Sequence, residues 1–419
     1  MMKILYLSSD LGIPVLGRKG ASVHVRGLVS AFVRAGHFVV LAAPLLNKTP
    51  WEEPASLNVP LLHLPPSADT LNAVLALKAF NEGLGVTNSL PGELRRILYN
   101  QELGTQLKRR FESAPPDVIY ERASLYGTAG VALARELKVP LFVELNAPLP
   151  VEQSAYRATV LGELVAQAER GALLQADAVL TVSAPLRDYV VSLGVEPGRV
   201  SVVPNGVDAT LFQPSPPDPA GRARWGLGNG PVLGFVGGLR PWHGVEALPT
   251  LLEKLVHRYR GLRLVIAGDG PLRGELEHTL KERGLTRSVV FTGWLPHEEV
   301  AGLIRQFDVA LAPYSQPEHA FYFSPLKLFE YMSCGVPVVA AALGQIAEIV
   351  RDGETGLLYP PDELDALTEA CDRLLADPAL RQRLGQAAAK EIRGLYTWDQ
   401  NAARVVELAR ALILARQNG

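Results

Sequence analysis

The segment Phe321-Tyr322-Phe323-Ser324-Pro325-Leu326-Lys327-Leu328-Phe329-Glu330-Tyr331-Met332, continued by Gly335-Val336-Pro337-Val338-Val339-Ala340, decides how this chain is read. A short apolar helix runs to Gly335, which stops it, and an apolar strand follows, so the segment is a helix-to-strand unit of an α/β sheet. Lys327 and Glu330 are three residues apart and share a helix face. A cation there can meet a diphosphate, and a carboxylate can accept hydrogen bonds from ribose hydroxyls. The loop before the helix, Tyr322, Phe323, Ser324 and Pro325 up to Leu326, adds backbone N–H groups that have no partner within the first helical turn and that attract anions. An amphipathic core helix with two exposed charges would show the same spacing. Position favours the ligand reading, because in open α/β sheets ligands gather at strand ends.

Length and composition narrow the rest. A chain of 419 residues exceeds what one hydrophobic core usually supports, so two domains are expected. Hydrophobic residues make up 48% and charged residues 20%, and no run reaches the twenty or so apolar residues that a membrane span needs. A formal net charge of −2 argues against nucleic acid as a partner, since phosphate neutralisation requires a strongly basic balance. Cys334 and Cys371, the only two cysteines, are too few for a disulfide framework or a cysteine metal site. A cytoplasmic protein is expected.

Short apolar runs alternate with helical patterns along the whole chain, the mark of parallel βα units. Strands are read at 4–7, 38–42, 118–120, 141–143, 178–182 and 200–203, then at 232–236, 264–267, 289–292, 309–312 and 336–340. The stretch Pro214-Ser215-Pro216-Pro217-Asp218-Pro219 can continue neither a helix nor a central strand, and it sets a linker at 212–230 between domains 1–211 and 231–397. Residues 398–419 form a terminal helix, with Val405, Leu408, Leu412 and Ile413 on its apolar face.

The run from Phe321 through Val339 resembles the C-terminal signature of the retaining glycosyltransferases of family 4, and the resemblance extends over nearly the whole chain. It implies the GT-B fold: two Rossmann-like, doubly wound parallel-sheet domains facing a central cleft, with the terminal helix crossing back to the first. It also implies transfer of a sugar from a nucleoside diphosphate sugar to an acceptor hydroxyl with retention, independent of metal and with no cofactor besides the donor substrate. Lys327 and Glu330 then bind the donor.

Phe235-Val236-Gly237-Gly238-Leu239-Arg240-Pro241-Trp242-His243-Gly244 resembles the loop that in the family presents an arginine and a lysine to the diphosphate. Here Gly238 and His243 stand at those positions, so Arg240 and His243 become the substitutes, a guanidinium being able to fork onto phosphate oxygens. Gly268 in the next strand-end loop and Trp294 after the following strand resemble the nucleotide-lining segments. Tyr322 lies eight residues before Glu330, where the family has its first acid. In the first domain, Gly20 belongs to a glycine loop, 17–22, which the resemblance implies faces donor and acceptor and makes Gly20 a donor-binding candidate, although its spacing lacks the G-x-G-x-x-G of a dinucleotide site. A plain turn with Ser22 as helix cap fits that loop as well.

His24, Glu144 and Asn146 are the acceptor-side candidates. Glu144 and Asn146 project the same way from one strand, and Asn146 stands where many family members have a histidine. A buried ion pair of Glu144 with Arg122 or Arg170 is the structural alternative. The acceptor class stays open between lipid, glycan and small molecule. The basic residues Lys78, Arg95, Arg96, Lys108, Arg109 and Arg110 suit either a solvated helix face or peripheral contact with the inner face of an anionic membrane. A sugar-nucleotide epimerase, or a non-catalytic sugar-nucleotide binder, is the alternative function on the same fold.

Overall fold

Seven parallel strands form one sheet: β1 (Lys3–Ser8), β2 (Phe38–Ala43), β3 (Leu61–His63), β4 (Val118–Arg122), β5 (Leu141–Leu145), β6 (Ala178–Thr181) and β7 (Val200–Val202). Their order is β3-β2-β1-β4-β5-β6-β7. A second sheet holds six: β8 (Val232–Val236), β9 (Arg263–Ala267), β10 (Val289–Gly293), β11 (Val309–Ala312), β12 (Val338–Ala341) and β13 (Leu357–Tyr359), ordered β10-β9-β8-β11-β12-β13. The computed structural model describes residues 1–47, 55–156 and 158–418.

The strands are almost continuously apolar because helices cover both sheet faces. Leu5, Leu7, Leu41 and Phe142 in the first sheet, and Leu233, Phe235, Val265 and Leu311 in the second, are fully buried. Both sheets are doubly wound, so each reverses its strand order once, between β1 and β4 and between β8 and β11. At such a reversal the loops leaving two neighbouring strands diverge and open a crevice. The short edge strands β3 and β13 were not legible as strands in the sequence.

The chain divides into two compact units, Met1–Pro204 joined by the C-terminal segment from Asp399, and Asn205–Trp398. The division therefore falls at Pro204/Asn205 rather than across 212–230. Prolines exclude a strand there but not packing: Phe212 and Leu227 are fully buried in the second unit's core, and Asp218 caps the helix Pro219–Arg224. The terminal helix Trp398–Asn418 is tied within the first unit by Arg34 to Asp399 at 2.7 Å, Arg416 to Asp177 at 2.6 Å and Asn401 Nδ2 to the Pro204 carbonyl at 2.7 Å. Among the described residues no helix is long and apolar enough to cross a membrane.

Gly244 closes the turn that leaves β8. It adopts φ +63°, and a Cβ there would lie 1.6 Å from the Pro313 carbonyl oxygen after β11. Backbone strain and a clash with main chain therefore act together. Gly244→Ala is expected to destabilise the chain by at least about 2 kcal/mol in denaturant unfolding. An unchanged midpoint would show that the two strand-end loops are not held in contact.

Candidate active site

Three glycines knit the C-terminal ends of β8, β9 and β10. Gly237 takes φ +143° and donates to the Ala267 carbonyl at 2.8 Å; Gly268 takes φ +136° and donates to the Gly293 carbonyl at 2.9 Å. A Cβ on Gly268 would approach the Gly237 oxygen to 2.0 Å, so the close backbone contact requires glycine. Gly238 differs, since a Cβ there would meet nothing nearer than 3.7 Å. Its missing side chain leaves space beside His243.

Lys327 points into this space. It lies on the helix Leu326–Ser333, only 7% exposed, with Nζ 4.1 Å from the Phe235 ring centroid and 5.1 Å from that of Tyr314. Phe235 belongs to β8 and Tyr314 follows β11, so the ammonium sits at the reversal of the second sheet. Nζ is buried without a hydrogen-bond partner, and a Cβ on Gly237 would come within 2.7 Å of it. Burial pushes its pKa down to about 7, with the Glu330 charge opposing. Two aromatic faces offset only part of the desolvation of a cation.

Glu330, also 7% exposed, does not pair with Lys327. Its Oε1 accepts from His297 Nε2 at 2.7 Å. The sequence reading missed His297: nothing in its local pattern marks it, and the contact joins residues 33 apart. The reading of two exposed charges on one helix face is corrected as well, because both side chains are drawn inward and in different directions.

His243 gives Nδ1–H to the Gly238 carbonyl at 2.5 Å, and its ring meets Tyr314 edge-on at 5.2 Å. Burial, then Lys327, lowers its pKa to about 3. A neutral ring whose only N–H is already donated presents an Nε2 lone pair, so His243 cannot donate to an anion in this state. Arg240 is exposed and lies 5.6 Å over the Trp242 ring, leaving its guanidinium reachable from solvent.

The loop before the helix is buried. Tyr322 is 4% exposed and stacks on His319 at 5.0 Å, and Phe323 packs against Tyr322 at 4.6 Å. Ser324 Oγ accepts from the Asn205 N–H at 3.0 Å and its carbonyl accepts from Asn205 Nδ2 at 2.5 Å, so its hydroxyl anchors the loop. Pro325 precedes the first helical turn at Leu326. Trp294 is 49% exposed, too open for a core residue.

In the first unit, Glu144 is the hub of a buried network at the end of β5. It accepts from His24 Nε2 at 2.9 Å and Arg122 Nη1 at 2.8 Å, and in shorter bonds from the Tyr120 hydroxyl and Asn146 Nδ2. Burial would raise its pKa, but His24, Arg122 and Tyr120 outweigh it and hold the carboxyl well below the usual range. A substrate hydroxyl would have to displace one of four donors. Arg170 instead binds the Leu193 carbonyl.

Gly20 is exposed at the start of the helix Gly20–Arg34, whose first turn has no side-chain cap. Ser22 lies inside that turn, its hydroxyl buried and unpartnered. Where β1 and β4 diverge, a small polar pocket is lined by residues including Ser9, Asp10, Arg96, Tyr99 and Ser124. The Tyr99 hydroxyl is buried there without a partner. Among the described residues no group of three or more His, Cys, Asp or Glu side chains is placed to hold a metal ion.

Residues 18–211 match the family model described as Glycosyltransferase Family 4, and residues 230–377 match that described as Glycosyl transferases group 1. The chain is 27% identical over 420 residues to a glycogen synthase of Mycobacterium tuberculosis, which spans 97% of this chain and 94% of that protein. It is 33% identical over 245 residues to a GDP-mannose-dependent alpha-(1-6)-phosphatidylinositol monomannoside mannosyltransferase of Mycolicibacterium smegmatis, 58% of this chain and 64% of that one. Among solved structures, HepE of Anabaena in complex with UDP-glucose aligns at TM-score 0.70 and 18% identity over 98% of this chain and 100% of that chain, a likeness of fold.

Lys327→Met is expected to raise the midpoint of thermal unfolding at pH 7 by at least about 3 °C. The sign follows from proton counts. The folded lysine releases its proton near pH 7, whereas the unfolded chain keeps it to about 10.5. Over that window the unfolded state binds more protons, so wild-type stability rises with pH and the advantage of the methionine shrinks. A pH-independent difference, or a lower midpoint for the variant at pH 7, would contradict the burial argument.

Proposed function

The chain belongs to glycosyltransferase family 4 and is a glycosyltransferase of the two-domain GT-B class, and on that footing we propose that it uses a nucleoside diphosphate sugar as donor, retains anomeric configuration and needs no metal ion. One observation carries the donor assignment: a buried ammonium without a counter-ion at the reversal of the second sheet, beside backbone stripped of side chains at Gly237 and Gly238. An uncompensated cation in such a crevice is best satisfied by a bound anion, and the diphosphate of a donor is one. The complex of HepE with UDP-glucose lends support to a nucleotide-sugar donor on this fold.

In this reading Lys327 and Arg240 take the diphosphate, Glu330 takes the ribose hydroxyls, and Trp294 borders the base. Because Lys327 Nζ is covered, the donor reaches it only as the neighbouring loops part. The acceptor is received by the first unit, where the Tyr99 hydroxyl is unpartnered beside the mutually bonded Ser9 and Ser124, whereas the network of Glu144, His24 and Asn146 is filled. The bond from the anomeric carbon to the leaving phosphate oxygen breaks, a bond to the acceptor oxygen forms on the same face, and the departing phosphate oxygen takes the acceptor's proton. Positioning and charge stabilisation of the leaving group supply the rate. The family matches favour glycosyl transfer over the epimerase reading.

The test is to incubate the protein with UDP-, GDP- and ADP-sugars, with and without hydroxylated acceptors, and to follow nucleoside diphosphate release and product configuration by NMR. Acceptor-dependent release with retained configuration, unchanged by EDTA, is expected. Lys327→Ala and Glu330→Ala should each lower kcat/KM by about 10- to 100-fold or more while the fold persists. Inversion, or full kinetics in both variants, would overturn the assignment.

A further inference from the structure

We propose that His297 is a positioning residue of the donor site: its Nε2–H fixes one oxygen of Glu330, leaving the other for ribose, and keeps that carboxylate away from Lys327. The inference rests on the donor reading above and extends it to a residue that touches neither phosphate nor sugar.

The geometry supplies the argument. Lys327 and Glu330 stand three apart on one helix, a spacing at which a cation and a carboxylate ordinarily meet. Had they paired, the ammonium would be neutralised and the carboxylate occupied. Instead Oε1 of Glu330 accepts from His297 at 2.7 Å, while Lys327 Nζ lies over Phe235 and Tyr314 with no hydrogen-bond partner. Among the described residues His297 is the only donor to the Glu330 carboxylate, so Oε2 remains open.

The histidine is itself held. It is the first residue of the helix His297–Ile304, and its ring lies 5.0 Å from that of Phe212, which is fully buried in the second unit's core. A side chain fixed by packing can hold a carboxylate in one orientation without paying for that order when ligand binds. The His297 side chain is 22% exposed and that of Glu330 9%, so the pair borders solvent where a pentose could reach it.

The experiment compares ribonucleoside diphosphates with their 2′-deoxy and 3′-deoxy analogues by calorimetric titration, using whichever of UDP, GDP and ADP binds tightest. Wild-type protein is expected to prefer the ribonucleotide over at least one deoxy analogue by about 10- to 100-fold, as for a hydrogen bond to a charged acceptor. His297→Leu and His297→Phe, the second keeping the ring on Phe212, should each reduce that ratio to about 2-fold or less. His297→Gln keeps an N–H donor and should restore most of it.

A wild-type ratio that persists in both His297→Leu and His297→Phe, while Glu330→Gln abolishes it, would overturn the positioning role and leave the donor site standing. A ratio that survives in Glu330→Gln as well would overturn the donor reading itself. Should one histidine variant not fold, the other together with His297→Gln decides the matter, because loss in the first with rescue in the second cannot come from packing alone.

Discussion

A lysine side chain buried among aromatic rings, its nitrogen without a hydrogen-bond partner, is the constraint on which the proposed donor site depends. Desolvating a cation costs several kcal/mol, and two ring faces return part of that. Folding alone gives no reason to keep Lys327 where a methionine would pack. In the proposed reading, an anion completes the coordination of the nitrogen held over Phe235 and Tyr314. On that reading, stability is given up at the point where binding would recover it, a common feature of functional sites.

That point is not arbitrary. Strand order in each sheet reverses once, and only there do loops from adjacent strands turn to opposite faces and open a crevice. In the second sheet the crevice is floored by backbone, because Gly237 and Gly268 bring two strand-end loops into contact that no side chain could enter. The floor is rigid for the same reason. Lys327 projects from a short helix onto that backbone floor, with its nitrogen held over Phe235 and Tyr314. In the first sheet the corresponding reversal holds Ser9, Tyr99 and Ser124 beside both a cation, Arg96, and a carboxylate, Asp10.

Much of this was legible in the sequence, and the reasons differ from part to part. The strands 232–236 and 309–312 coincide with the apolar runs that announced them, since buried parallel strands leave no polar position to blur the edges. Edge strands Leu61–His63 and Leu357–Tyr359 were not, although the equally short edge strand Val200–Val202 was read. Lys327 and Glu330 were found from spacing, yet spacing placed them on one face, and only tertiary contacts reveal that His297 and Phe235 draw them apart. The stretch at 212–230 looked like a tether because proline and charge suggest exposure, while two hydrophobes within it, Phe212 and Leu227, anchor it in the core. Ser22 looked like a cap because it precedes an apolar period, but the helix begins two residues earlier at Gly20.

The substitutions relative to the family pattern then become a single rearrangement. With Gly238 and His243 at the two cation positions, the loop after β8 places backbone and a neutral ring there, and its one cation is the exposed Arg240. Lys327 reaches the same space from the opposite side, from helix rather than loop, and it needs the glycine at 237 to do so, since a Cβ there would sit 2.7 Å from its nitrogen. A lysine on the loop would compete for that volume and repel the ammonium. In the proposed donor reading Lys327 supplies, from the helix, positive charge that positions 238 and 243 do not. Of the two adjacent glycines, Gly237 is the one tied sterically to Lys327, since a Cβ on Gly238 would meet nothing nearer than 3.7 Å.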